Sequence, residues 1–267
     1  MSAASGLQHT DTSGLLAPHT CLQLERFQSR TDRSCLEATQ LLVREKDRRT
    51  KKDFEKLEQS LGVNHAPSGL IASELISPIS STMYDWMHCY FIGGIFLINM
   101  QNMFGAFNWK SLDMFSRLET LKWPKDWAAR GRACIAFFDG KKSFKDIKPA
   151  ASECLTLYPI LRSFVLEAVP QIRDQNARLA IRSFVRCCAV LDLLQRIGKD
   201  ERVMPDDLKR AIVEHLESYQ KAFGDKDWTP KFHFCIHLPM LLQKHNLLVS
   251  CWVHERKHRM LEGVCSL

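Results

Sequence analysis

Residues His254, Glu255, Arg256, Lys257 and His258 spell H-E-x-x-H near the end of the chain. On a helix that spacing sets two imidazoles one turn apart on one face, with a carboxylate beside them. Zinc hydrolysis needs this arrangement, because two neutral nitrogens hold the metal while the carboxylate takes a proton from bound water. Two features count against a metallopeptidase. The x positions are Arg256 and Lys257, whose charges would lie close to a divalent cation. Beyond His258 the only potential ligand among acid and imidazole side chains is Glu262, four residues on, whereas zinc proteases draw their third ligand from well downstream. This reading ranks last.

A second constellation pairs Asp85 with His88, a carboxylate and an imidazole three residues apart. The plain expectation is structural: Asp85, just after Ser80, Ser81 and Thr82, caps the apolar helix that follows, and His88 lies one turn on. Glu255 has an equally plain role as a surface ion-pair partner of its Arg and Lys neighbours. A third grouping, His233, Cys235, His237, His245 and Cys251, is rich in metal-ligand types. Its spacings reproduce no closed tetrahedral pattern, so partly buried histidines are expected.

These residues must be positioned by helices. From about 83 onward apolar side chains recur at helical spacing, predicting helices near 84–106, 110–121, 152–168, 175–197, 205–222, 234–245 and 251–262. Pro205 to Phe223 shows the logic: Pro205 suits a first helical position, Asp206 and Asp207 favour the positive end of the dipole, and Leu208, Ile212, Leu216, Tyr219 and Phe223 form one stripe. Strand patterns are nearly absent, apart from a short extended piece expected around Phe232 to Ile236.

Upstream, residues 1–30 read as a loose tail. Residues 31–61 read as one or two charged amphipathic helices, with Leu36, Leu41, Leu42, Phe54, Leu57 and Leu61 amid dense charge and Gly62 as the stop. The basic cluster Arg48, Arg49, Lys51 and Lys52 is interleaved with Glu45, Asp47, Asp53 and Glu55, which predicts a face laced with ion pairs rather than a phosphate-binding arm. Residues 62–82, containing Pro67, Gly69 and Pro78, read as a linker into a helical domain over 83–267.

Composition sets the outer bounds. The 267 residues are 45% hydrophobic and 25% charged, ordinary for a globular chain able to bury its own core. A net charge of +7 permits a polyanionic partner without demanding one. Ten cysteines without a CxxC pair read as buried thiols of a reducing compartment. The most apolar run, Cys89 to Met100, is too short for a membrane span, which needs ~20 residues. The expectation is therefore an intracellular protein of nucleus or cytoplasm, with no membrane, and the residues identify no small-molecule substrate.

Three stretches also resemble a known family. Thr82-Met83-Tyr84-Asp85-Trp86-Met87-His88-Cys89 with Phe91-Ile92-Gly93-Gly94 resembles the "YDxMHc…xGv" segment of CACTA (En/Spm-like) transposases and the related Kyakuja-Dileera-Zisupton elements. Pro230-Lys231-Phe232-His233-Phe234-Cys235-Ile236-His237-Leu238-Pro239 resembles their "pKfHfllHlP" stretch, and Trp252-Val253-His254-Glu255-Arg256-Lys257-His258 their "W…fErkH" segment. Tyr158-Pro159-Ile160-Leu161-Arg162 is a fourth, lying between them in the right order.

The resemblance implies the DDE type of catalytic domain, an RNase H-like fold in which two aspartates and a glutamate hold two Mg2+ or Mn2+ ions for phosphodiester chemistry. Carried over by position, Asp85 and His88 match a C/D-x-x-H signature, residues from about 90 to 250 match a helical insertion, and Glu255 matches the catalytic glutamate and thus a metal ligand. Lys231, Arg256, Lys257 and Arg259 are the nucleic-acid-binding candidates. Asp11, Asp32, Asp47 and Asp53 stand upstream without an apolar, β-branched run before them, so the sheet that would gather the other two carboxylates is expected to be largely missing. The expectation is a mainly α fragment of a DDE transposase, catalytically incomplete and with no cofactor of its own. Its partners would be DNA or a full-length transposase. The alternative is a helical protein-interaction module without a nucleic-acid role.

Overall fold

The computed structural model describes residues 32–61, 63–67, 81–106 and 149–252, and these are mainly helical. The chain divides into two compact units, 1–83 and 84–267. The expected helices at 110–121 and over most of 251–262, the tail 1–30 and most of the 62–82 linker lie outside the described residues.

In the first unit α1 (Asp32–Glu45) and α2 (Lys51–Leu61) pack against each other. Their shared core is Cys35, Ala38, Leu42, Phe54 and Val63, flanked by Leu57 and Leu61. Thr50 starts α2 with a reciprocal cap: its hydroxyl bonds the Asp53 carboxylate at 2.6 Å and accepts the Asp53 N–H at 3.3 Å. Arg48 and Arg49 both reach Glu45, at 3.8 and 2.7 Å, the ion-pair lacing that the interleaved charges predict.

The second unit is built on α3 (Trp86–Tyr90), α4 (Ile95–Ala106), α5 (Ala151–Ala168), α6 (Gln175–Ile197), α7 (Pro205–Phe223), α8 (Pro230–Phe234) and α9 (Leu238–His245). Single turns of 3-10 helix at Val169–Gln171 and Cys235–His237 complete it. The long α6 is the hub, lying against α7, α4 and α5, while α9 covers α7. Its start is set by Asp174, whose carboxylate accepts the Ala177 N–H at 2.7 Å. Its buried stripe runs Ala177, Ala180, Ile181, Phe184, Cys187, Cys188, Leu191 and Leu194. On α7, Leu208, Ile212, Leu216 and Tyr219 are buried as the spacing predicts, whereas Phe223 is only half-buried where Gly224 turns the chain with φ +61°.

Polar groups also cross this core. The Asn99 amide donates to Ser183 Oγ at 2.9 Å and faces His215 Nε2 at 2.9 Å, and Asn102 donates to the Tyr219 hydroxyl at 2.9 Å. These contacts fix the rotation of α4 about its own axis, which an almost uniformly apolar helix would leave loosely specified. No helix among the described residues is long and apolar enough to cross a membrane.

Two expectations are corrected. The single helix over 84–106 is broken into α3 and α4. Gly93 takes φ +52°, which side chains rarely adopt, and a Cβ on Gly94 would stand 2.3 Å from the Cys89 carbonyl oxygen, so the helix breaks at this pair of glycines. The extended piece at Phe232–Ile236 is helical instead: Pro230 occupies the first turn of α8, the run continues through 3-10 geometry, and Phe232 and Cys235 are buried on one side.

Candidate functional site

Three chain segments meet around α3: residues 84–94, 230–239 and 249–252. Asp85 opens α3 from an extended conformation, its Oδ1 accepting the Met87 N–H at 2.9 Å. Its Oδ2 contacts His88 Nδ1 and accepts the Cys251 N–H at 3.2 Å. Next to it the Trp86 N–H donates to the Val249 carbonyl at 3.2 Å, so the backbone near residue 250 is stitched to the start of α3.

Aromatic rings close the junction. Tyr84 stacks on Phe234 at 4.8 Å and on His237 at 5.5 Å between centroids. Trp252 lies against Trp86 at 6.3 Å and Phe91 at 5.9 Å between centroids. The Lys231 ammonium donates to the Ile92 carbonyl in the glycine turn. Burial lowers the Lys231 pKa, partly offset by Cys89. The fourth resembling segment supports the unit from α5: the Tyr158 hydroxyl donates to Asp192 at 3.0 Å, Arg162 pairs with the same carboxylate, and the Tyr158 ring meets Phe96 edge-on at 6.5 Å.

Two histidines lie beside the junction with Nε2 atoms 3.1 Å apart, His233 on α8 and His237 in the following 3-10 turn. Burial first, and His233 second, bring the His237 pKa down to about 4. Among the described residues the thiols are not exposed nucleophiles. Cys35, Cys89, Cys154, Cys187, Cys188, Cys235 and Cys251 are all buried and in no disulfide, and burial with the Asp85 carboxylate nearby pushes Cys89 up to about 12.

Of the residues singled out in the sequence, Asp85 and His88 do come together, and Lys231, on α8, reaches the Ile92 carbonyl in the same segment's glycine turn. His254, Glu255, Arg256, Lys257, His258 and Arg259 lie outside the described residues. Cys251 joins Asp85 and His88, a placement that no local spacing signals across 166 positions. Sequence pattern put Cys251 only in a His/Cys-rich tail.

The metal pair that the resemblance implies asks for oxygen donors from several carboxylates. Among the described residues the group of three or more side chains able to hold an ion is Asp85, His88 and Cys251. One carboxylate with an imidazole and a thiol does not fit a magnesium or manganese pair. Comparison with family models, curated proteins and solved structures returned no match.

Proposed function

We propose that this chain is a transposon-derived protein, built on the helical insertion and C/D-x-x-H signature of a DDE transposase. Its activity in this reading is binding, to DNA or to a full-length transposase, rather than strand transfer on its own. One observation supports it above the others. The first of the resembling stretches stands more than a hundred residues before the second and third, yet Tyr84, Trp86 and Ile92 contact Phe234, His237, Trp252 and Lys231 directly, and Asp85 bonds the adjoining Cys251 N–H. Motifs kept together by one packed junction are what a shared ancestral site would leave.

The chemistry of binding in this reading is electrostatic. A chain of net charge +7 gains affinity for a duplex by releasing its counterions, so binding weakens steeply with salt. Titration of a labelled duplex with the full chain at several salt concentrations tests this. The expected result is a linear fall of log affinity with log salt, with a slope that shrinks by roughly one for each phosphate contact removed in Arg256→Ala, Lys257→Ala or Arg259→Ala. Absence of duplex binding at low salt, together with failure to capture a full-length transposase of this type, would overturn it. Metal-dependent nicking lost in Glu255→Gln would overturn the claim that strand chemistry needs another chain.

A further inference from the structure

The group at the start of α3 carries more than a helix cap. Ligand atoms of Asp85, His88 and Cys251 all lie within 4.8 Å of one another. A tetrahedral ion with bonds of about 2.0–2.3 Å spaces its ligands by about 3.3–3.8 Å, so side-chain adjustments that part His88 Nδ1 from Asp85 Oδ2 bring the three onto one centre. We propose that Asp85, His88 and Cys251 form a zinc-binding site, with the fourth position open to water or to a partner's side chain.

The donor set selects the metal. A thiolate and an imidazole favour zinc over magnesium or calcium, which prefer oxygen alone. On binding, the Cys251 thiol gives its proton to solvent, and a carboxylate, a thiolate and a neutral imidazole then balance a dication. Charge balance matters at this place because Asp85 and Cys251 are both largely shielded, at 12% side-chain and 6% residue exposure. His88, with 43% of its side chain exposed, provides the way in.

The placement of Cys251 is held independently of any ion. Trp86 N–H to the Val249 carbonyl and Cys251 N–H to Asp85 Oδ2, both 3.2 Å, set the register between the two segments. Trp86, Phe91 and Trp252 pack around the same join and keep it there. A site whose three ligands come from two segments 166 positions apart, held by one main-chain bond and one bond from a main-chain N–H to a carboxylate, is pre-organised rather than assembled by the metal. A zinc ion would in turn clamp residue 251, and with it the following Trp252, to the start of α3. This inference stands on geometry and not on the transposase reading.

The test is titration of the reduced full-length chain with Co2+, followed by competition with Zn2+. One equivalent is expected to bind, with a sulfur-to-cobalt charge-transfer band and the visible bands of a tetrahedral ion, both bleached by zinc. Cys251→Ser should abolish the charge-transfer band, and His88→Ala, at a half-exposed position that leaves the core intact, should weaken binding by more than ~100-fold. His233→Ala, outside the three ligands, should leave the spectrum unchanged. Absence of cobalt binding by the folded wild-type chain would overturn the proposal. So would a charge-transfer band that survives in Cys251→Ser, since the metal would then sit on another cysteine.

Discussion

The α4–α6–α7 core and the junction around α3 are both buried, yet they are specified in opposite ways. In the core, helices of 12, 23 and 19 residues pack long, mainly apolar faces together, with Asn99, Asn102, Ser183 and His215 among them, and Phe184, Leu191, Leu208 and Leu216 are fully buried between those faces. At the junction the elements are five-residue helices, one 3-10 turn and short unstructured pieces, too short to be stable by themselves. They are held by contacts across the chain: Tyr84 on Phe234, Trp86 on Trp252, Asp85 on the Cys251 N–H. Core stability is a sum of local faces. The junction holds only if distant segments arrive together.

That contrast breaks most sharply by removing its hub. Phe184 is fully buried on α6 and touches Phe96 at 5.8 Å between centroids, so Phe184→Ala should cost about 3–5 kcal/mol and shift the urea midpoint of the whole second unit. Gly94→Ala attacks the junction instead. Its Cβ would stand 2.3 Å from a main-chain oxygen that cannot swing away, so a loss of about 2–3 kcal/mol is expected. Hydrogen exchange should show the amides of α3 opening before those of α6. Uniform loss of protection in both would mean that the junction is part of the core's cooperative unit.

The same contrast explains what could be read in advance. Periodicity located α6 and α7 because a helix face is local information, repeated every three or four residues along Ala177 to Leu194 and Leu208 to Tyr219. It joined α3 to α4 because the apolar run continues through 89–100, and only the close approach of Gly94 to the Cys89 carbonyl shows the break. The Asp85–His88 pair was legible from its three-residue spacing. Cys251 was not, because its partner is 166 positions away and nothing in the residues next to it encodes that meeting. Likewise Asn99, Ser183 and His215 look like unrelated polar residues until the three helices cross.

Acid should act on both regions through neutral histidines. Burial depresses the His215 pKa to about 3 in the core, and burial with His233 depresses the His237 pKa to about 4 at the junction. The unfolded chain, with histidines near 6.5, binds more protons than the native one below that value. Stability is therefore full above about pH 6.5 and falls as pH drops toward each folded pKa, by up to about 1.4 kcal/mol per pH unit for each histidine. Urea titrations between pH 7 and 4.5 should show this slope, reduced in His215→Gln and, separately, in His237→Gln. A flat profile in the wild-type chain would contradict the burial of both rings.

The finest comparison sets two aspartates that perform the same local task. Asp174 caps α6 through one bond to the Ala177 N–H, and asparagine keeps an acceptor oxygen for that bond, so Asp174→Asn should change stability by only a few tenths of a kcal/mol. Asp85 caps α3 with Oδ1 and uses Oδ2 for His88 and the Cys251 N–H. In Asp85→Asn the cap survives, but an amide N–H₂ then points at another N–H donor. That leaves the Cys251 amide unmatched in a shielded place, at a cost of about 1–2 kcal/mol. Differential unfolding of the two variants reads the gap directly. Equal effects would reduce Asp85 to an ordinary cap, whereas the larger loss at Asp85 assigns the second oxygen to tying residue 251 to α3.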